Sequence, residues 1–146
     1  MDFKTLDEGP AEITDNSKDF QELDVNTKLT ITDRIESTDK RNEVKISIGL
    51  IFEVKTDSNK TVYYCMYIGQ YLVTIKNSLT QEEFSDFYKT PYNSFKDYFN
   101  NYKKGKSLEP LTFPQFNKDL KLTVKAFQEE IPDLIGLLPP DNEPNL

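Results

Sequence analysis

The sequence predicts a single α+β domain, with antiparallel strands first and helices packed afterwards on one face of the sheet. Apolar and polar residues alternate with a period of two from residue 23 to residue 55. An apolar run broken by one glycine follows at 61–75. From Thr80 onward the apolar spacing changes to three and four, and nearly every member is Phe or Tyr. At 146 residues the chain is long enough for one core and short for two.

Residues 1–21 read as a flexible acidic arm. Pro10, the Asp, Asn and Ser content and the few large apolar side chains leave little to bury. The first strand is expected over 23–35. Leu23, Val25, Thr27, Leu29, Ile31 and Ile35 point one way, and Asp24, Asn26, Lys28, Thr30, Thr32 and Arg34 the other. A polar connection, Glu36 to Asn42, leads to a second strand over 44–55, where Val44, Ile46, Ile48, Leu50, Phe52 and Val54 share a face. Thr56-Asp57-Ser58-Asn59-Lys60 is a turn. The stretch 61–75 is apolar on both faces, so it belongs in the middle of the sheet or under a cover. Gly69 is expected to split it into two strands.

Thr80 and Glu83 form a capping box for the helical region. Phe84, Phe87, Tyr88, Tyr92, Phe95, Tyr98, Phe99 and Tyr102 then line one helical face. Pro91 is expected to break or kink the helix near Lys89, and Gly105 to end it. The prolines of SLEPLTFPQFN demand an extended link. A last helix is expected over 117–131, although Leu120, Leu122 and Val124 also alternate as in a short strand. Leu134, Ile135, Leu137 and Leu138 form an apolar cluster that packs on the domain or on a partner. The domain therefore spans 22–138, and 139–146 is a Pro-rich tail.

Composition narrows the chemistry. The net charge is −7, with the acids crowded toward both ends and a mildly basic, lysine-rich middle. Acidic ends repel phosphates and anionic lipid, so neither nucleic acid binding nor membrane insertion is expected. There is no histidine, the usual general base and metal ligand. The single cysteine, Cys65, has no internal disulfide partner and no base to activate it. Gly69 and Gly105 stand alone, which rules out a glycine-rich phosphate loop. Glu82/Glu83 and Glu129/Glu130 are adjacent pairs that diverge by about 100° on a helix, a poor geometry for paired acid–base work. No enzymatic activity, cofactor or metal is expected. The opening residues are acidic where a secretory leader would be basic and then apolar, and no run is long enough to span a bilayer. With a lone cysteine, this points to the cytoplasm.

Ten Phe and eight Tyr remain to be explained. The plainer reading is a core. The sharper one is a groove for apolar segments, because aromatics bury much area for little side-chain entropy.

Three stretches carry a family resemblance. VYYCMYIGQYLVTI runs an apolar strand through a glycine and an aromatic into another strand. TPYNSFKDYFNNY opens a long helix with a proline and a tyrosine. LEPLTFPQFN is the proline-rich link after it. Together these resemble the SecB-type export chaperones and the SecB-like chaperones of toxin–antitoxin systems. Asn93 and Ser94 stand where that family's helix commonly carries an arginine, and a single Pro114 stands where its link tends to have two prolines. The resemblance implies a four-stranded antiparallel sheet with helices on one face, homo-oligomeric assembly, and ATP-independent binding of unfolded chains. On that reading Tyr64, Tyr67, Tyr71, Phe95 and Phe99 line the polypeptide groove. The alternative is a small phage or mobile-element adaptor or inhibitor that binds one folded protein through its acidic ends, the preference for lysine over arginine suiting an AT-rich source such as a phage of low-GC bacteria.

Overall fold

The computed structural model describes residues 2–20, 24–40, 42–74 and 81–116. Four strands form one antiparallel sheet: β1 (Asp2–Asp15), β2 (Val25–Ser37), β3 (Glu43–Thr56) and β4 (Thr61–Thr74), in the order β1-β4-β3-β2. One helix, α1 (Gln81–Tyr102), packs across β3 and β4. The α+β class and the four-stranded antiparallel sheet expected from the sequence are both present.

The central strands follow from their alternation. Val44, Ile46, Ile48, Leu50, Phe52 and Val54 of β3 are buried, and the residues between them are half-exposed. Their partners on β4 are Val73, Tyr71, Gly69, Tyr67, Cys65 and Tyr63, which form the other half of the dry face. The turn between β3 and β4 closes through Thr56 and Lys60, whose amide and carbonyl lie 2.9 Å apart. Asn59 takes a left-handed φ of 66°, a conformation Asn tolerates better than most residues. On β2 the dry row includes Asp33, which the apolar pattern skips. Asp33 accepts a 2.6 Å hydrogen bond from the Tyr88 hydroxyl, so a carboxylate can sit on the helix side of the sheet. Burial, and then the Asp33 charge, push the Tyr88 hydroxyl well above its ordinary pKa.

Several expectations are corrected. Residues 2–15 of the expected flexible arm form β1, paired with β4 along its length. Backbone hydrogen bonding to an otherwise open sheet edge supplies what the side chains do not. β1 is thus the fourth strand, and Gly69 does not divide β4, which runs unbroken from Thr61 to Thr74. Gly69 is required for a different reason. The Tyr71 ring folds back over it, and a β-carbon there would lie 2.7 Å from two ring carbons of Tyr71. Gly69→Ala should therefore destabilise the fold by about 1–3 kcal/mol, because the fully buried Tyr71 ring has nowhere to go. Urea denaturation measures this, and unchanged stability would show that the ring is free to move.

Pro91 does not break the helix; α1 runs through it, 22 residues from Gln81 to Tyr102. An interior proline costs about 3 kcal/mol. Here the apolar face is buried on both sides of it, by Phe87 and Tyr88 before and by Tyr92, Phe95 and Phe99 after, and that burial outweighs the penalty. The helix ends at Tyr102, and Gly105 follows with φ 71°, the left-handed geometry that closes a helix end. The link after it turns at 107–110 and then runs without regular structure to Phe116, burying Leu108 and Phe113 against the core. The helix expected over 117–131, the apolar cluster over 131–138 and the tail over 139–146 lie outside the described residues.

Candidate functional site

Strand parity and helix phase divide the five predicted groove residues. Tyr67 and Tyr71 are two apart from Gly69 on β4 and face α1, whereas Tyr64 has the opposite parity and faces away, half-buried opposite Glu53. Phe95 and Phe99 point from α1 onto the sheet and are fully buried. Tyr67 stacks on Phe95 with ring centroids 5.0 Å apart and planes at 10°. Tyr71 meets Phe87 edge-on at 5.2 Å, and Phe99 meets Phe52 edge-on at 4.8 Å. Phe113 from the link closes on Phe52 and Phe95 at 5.2 and 5.0 Å. Four of the five residues thus meet in one place, but as a packed aromatic core and not as an open groove. Tyr64 does not join them.

The residues that sequence reasoning missed are on β1. Its large apolar side chains Phe3, Leu6 and Ile13 are 42%, 46% and 40% exposed. Phe3 sits edge-on to both Tyr71 at 5.8 Å and Phe87 at 5.0 Å, so one of its faces meets the core and the other meets solvent. Beside it a shallow hollow of about 240 Å³ is lined by Phe3, Glu83, Asp86 and Phe87. Between β1 and α1 runs a seam in which Glu8 stands opposite Gly69, flanked by Tyr67 and Tyr71. Glu8 and Ser94 both stand beside the Tyr67 hydroxyl. The strand is also acidic, with Asp2, Asp7, Glu8, Glu12 and Asp15 against the single Lys4.

A polar cluster fixes the end of β1 to the end of α1. Asp15 accepts from the Ser17 amide at 2.9 Å, the Ser17 hydroxyl at 2.5 Å and the Tyr102 hydroxyl at 2.8 Å. Ser107 donates to the Ser17 carbonyl at 3.2 Å, and the Lys106 ammonium lies 3.9 Å over the Tyr102 ring. Burial would raise the Asp15 carboxyl, but the Ser17 and Tyr102 hydrogen bonds and the Lys106 charge outweigh it and hold the pKa below the ordinary value.

The tyrosines of this seam make the fold sensitive to alkali. Burial and then the Glu8 charge push Tyr67 up to about 12, and burial and then the Asp15 hydrogen bond do the same for Tyr102. The unfolded tyrosine ionises near 10.0. Between these values the native chain holds protons that the unfolded chain has lost, so stability is intact below about pH 10 and falls toward pH 12. Thermal melts across that range should show it, with tyrosinate absorbance appearing together with unfolding. Tyr67 or Tyr102 ionising at pH 10 in a folded chain, read from its own ring resonances, would refute the coupling.

On the opposite sheet face, Ile51, Tyr64, Met66, Ile68 and Leu72 are half-exposed, and the described helix packs on the other side. Among the described residues no three His, Cys, Asp or Glu side chains gather as a metal site, and no helix is long and apolar enough to cross a membrane.

Comparison with protein-family models and with curated proteins finds no match. Among solved structures the chain is similar to a Mycobacterium tuberculosis SecB-like chaperone in complex with a peptide from the HigA1 antitoxin. That similarity has 13% identity and a TM-score of 0.48, covering 80% of this chain and 88% of that one.

Proposed function

We propose that the protein binds unfolded polypeptide, without ATP and without catalysis, along the side of the sheet formed by β1. The observation that carries this reading is that the large apolar side chains Phe3, Leu6 and Ile13 stand exposed on an edge strand beside an aromatic seam. An edge strand offers free backbone donors and acceptors to an extended chain whatever its sequence. Apolar side chains beside it add affinity without selecting one sequence. Full burial of such a side chain is worth about 1.5–3 kcal/mol, and these three have roughly half of that still to gain.

This moves the binding surface from the interior, where Phe95 and Phe99 are committed to the core, to the β1 edge. Tyr67 and Tyr71 remain part of it as the wall behind the seam, and Tyr64 belongs to the other face. The same exposed side chains would serve a homo-oligomer interface, and light scattering above the 17.0 kDa monomer mass tests that. A cytoplasmic location suits a protein that meets unassembled chains and carries one free, buried thiol.

The acidity of β1 favours a second reading, in which a folded protein with a basic surface docks on that edge. One experiment separates the two. Binding is measured to reduced, carboxymethylated α-lactalbumin, which stays unfolded, and to the same protein in its native form. Saturable binding to the unfolded form alone supports polypeptide binding. Failure to bind any unfolded chain would leave the folded-target reading standing.

A further inference from the structure

The two sides of the β1–β4 pairing are unequally made. On β4, the row facing the helix is buried at Tyr63, Cys65, Tyr67, Tyr71 and Val73. On β1, none of the 14 residues is buried. The register slips twice, between Thr5 and Asp7 and between Pro10 and Glu12, and Pro10 has no amide hydrogen to give. In the middle of the strand, Glu8 Oε1 is buried without a hydrogen-bond partner among the described residues, and so is the Tyr71 hydroxyl. Each unpaired buried polar atom costs about 1–3 kcal/mol. β4 thus presents a well-formed edge that is occupied by a poorly fitted strand.

We propose that β1 is a displaceable strap, and that an extended segment of bound polypeptide takes its place on β4. This rests on the polypeptide-binding reading above but moves the final contact from the outer edge of β1 to the β4 edge beneath it, with the exposed side chains of β1 as the place of first encounter. The occupant is extended and antiparallel because β1, seated there now, is both. Its side chains at the positions of Phe3 and Ile13 pack on Tyr71 and Cys65. An apolar side chain in place of Glu8 removes the unpaired carboxylate oxygen from the edge. The Asp15–Ser17–Tyr102 cluster at one end and Phe3 at the other hold the strap until a better-fitting strand arrives.

The chain supplies its own test. Cys65 is the single cysteine and Ile13 is its direct cross-strand partner, so Ile13→Cys creates a pair that oxidation locks and reduction frees. The probe is reduced, carboxymethylated α-lactalbumin, which has no thiol to interfere. Compared with its own reduced form, the oxidised variant should bind at least tenfold more weakly, recovering with dithiothreitol. Tyr102→Phe, which removes one bond from the cluster, should bind several-fold faster. In the parent chain, hydrogen exchange should show β1 amides losing protection on binding while β3 and β4 amides keep theirs. Equal binding by the oxidised and reduced variant, or β1 protection retained in the complex, overturns the strap and leaves polypeptide binding intact. No binding by the parent chain overturns both.

Discussion

Phe52→Ala should lower the unfolding free energy by about 3–5 kcal/mol, the range for removing a large aromatic from a well-packed core. Phe52 is fully buried on β3, and rings from three directions converge on it: Tyr63 from β4 at 5.9 Å, Phe95 and Phe99 from α1 at 6.4 and 4.8 Å, and Phe113 from the link at 5.2 Å. These neighbours are held by other packing and cannot collapse fully into the space, so the cavity persists. Denaturant titration measures the loss. A change under about 1 kcal/mol would mean that the cluster repacks freely, and would leave room for the interior groove that the structure does not show. The same physics applies to Phe95 and Phe99. Replacing either with serine would unfold the chain before it reported on binding, so neither is a useful probe of function.

The parts legible in the sequence are those with uninterrupted periodicity. β3 and most of β2 could be assigned residue by residue, because each row keeps one parity and is buried on one side only. The aromatic spacing of α1 was equally clear, and burial of that stripe carries the helix past Pro91. β1 was hidden by its bulges. The residues it turns toward the helix are Phe3 and Thr5, then Glu8 and Pro10, then Ile13 and Asp15. The parity changes at each register slip, so a period-two search finds nothing, and the acid content then reads as a solvated arm. For the site, the sequence showed that the aromatics of 61–75 and of 81–102 belong together. It did not show how completely they satisfy one another. Tyr67 on Phe95 and Phe99 on Phe52 are in direct ring contact, a matter of packing that no pattern records. The exposed side chains of β1 went unnoticed together with the strand that carries them.

A chain lacking residues 1–15 should melt roughly 10 °C or more below the full chain, which removal of a flexible arm would not do. The loss comes chiefly from the strand that stays behind. Without β1, the whole edge of β4 loses its backbone partners, and Tyr71 loses the Phe3 ring that covers it. Exposed apolar surface costs about 25 cal/mol per Å², and sheltering the sides of Cys65, Tyr71 and Val73 therefore amounts to several kcal/mol. For a chain of this size each kcal/mol moves the midpoint by about 2–8 °C. The net contribution of β1 is still smaller than that of an interior strand, since its own side chains bury little and Glu8 brings an unpaired oxygen with it. That is the combination a replaceable strand needs: the edge must be covered, but not by this segment in particular. A synthetic peptide of residues 1–15 added in excess should raise the midpoint of the shortened chain again by mass action. An unfolded, carboxymethylated polypeptide should do the same if it binds at β4. A shortened chain that melts like the full one would show that β1 contributes nothing to the sheet, and recovery with neither peptide nor polypeptide would show that β4 does not accept a strand in trans.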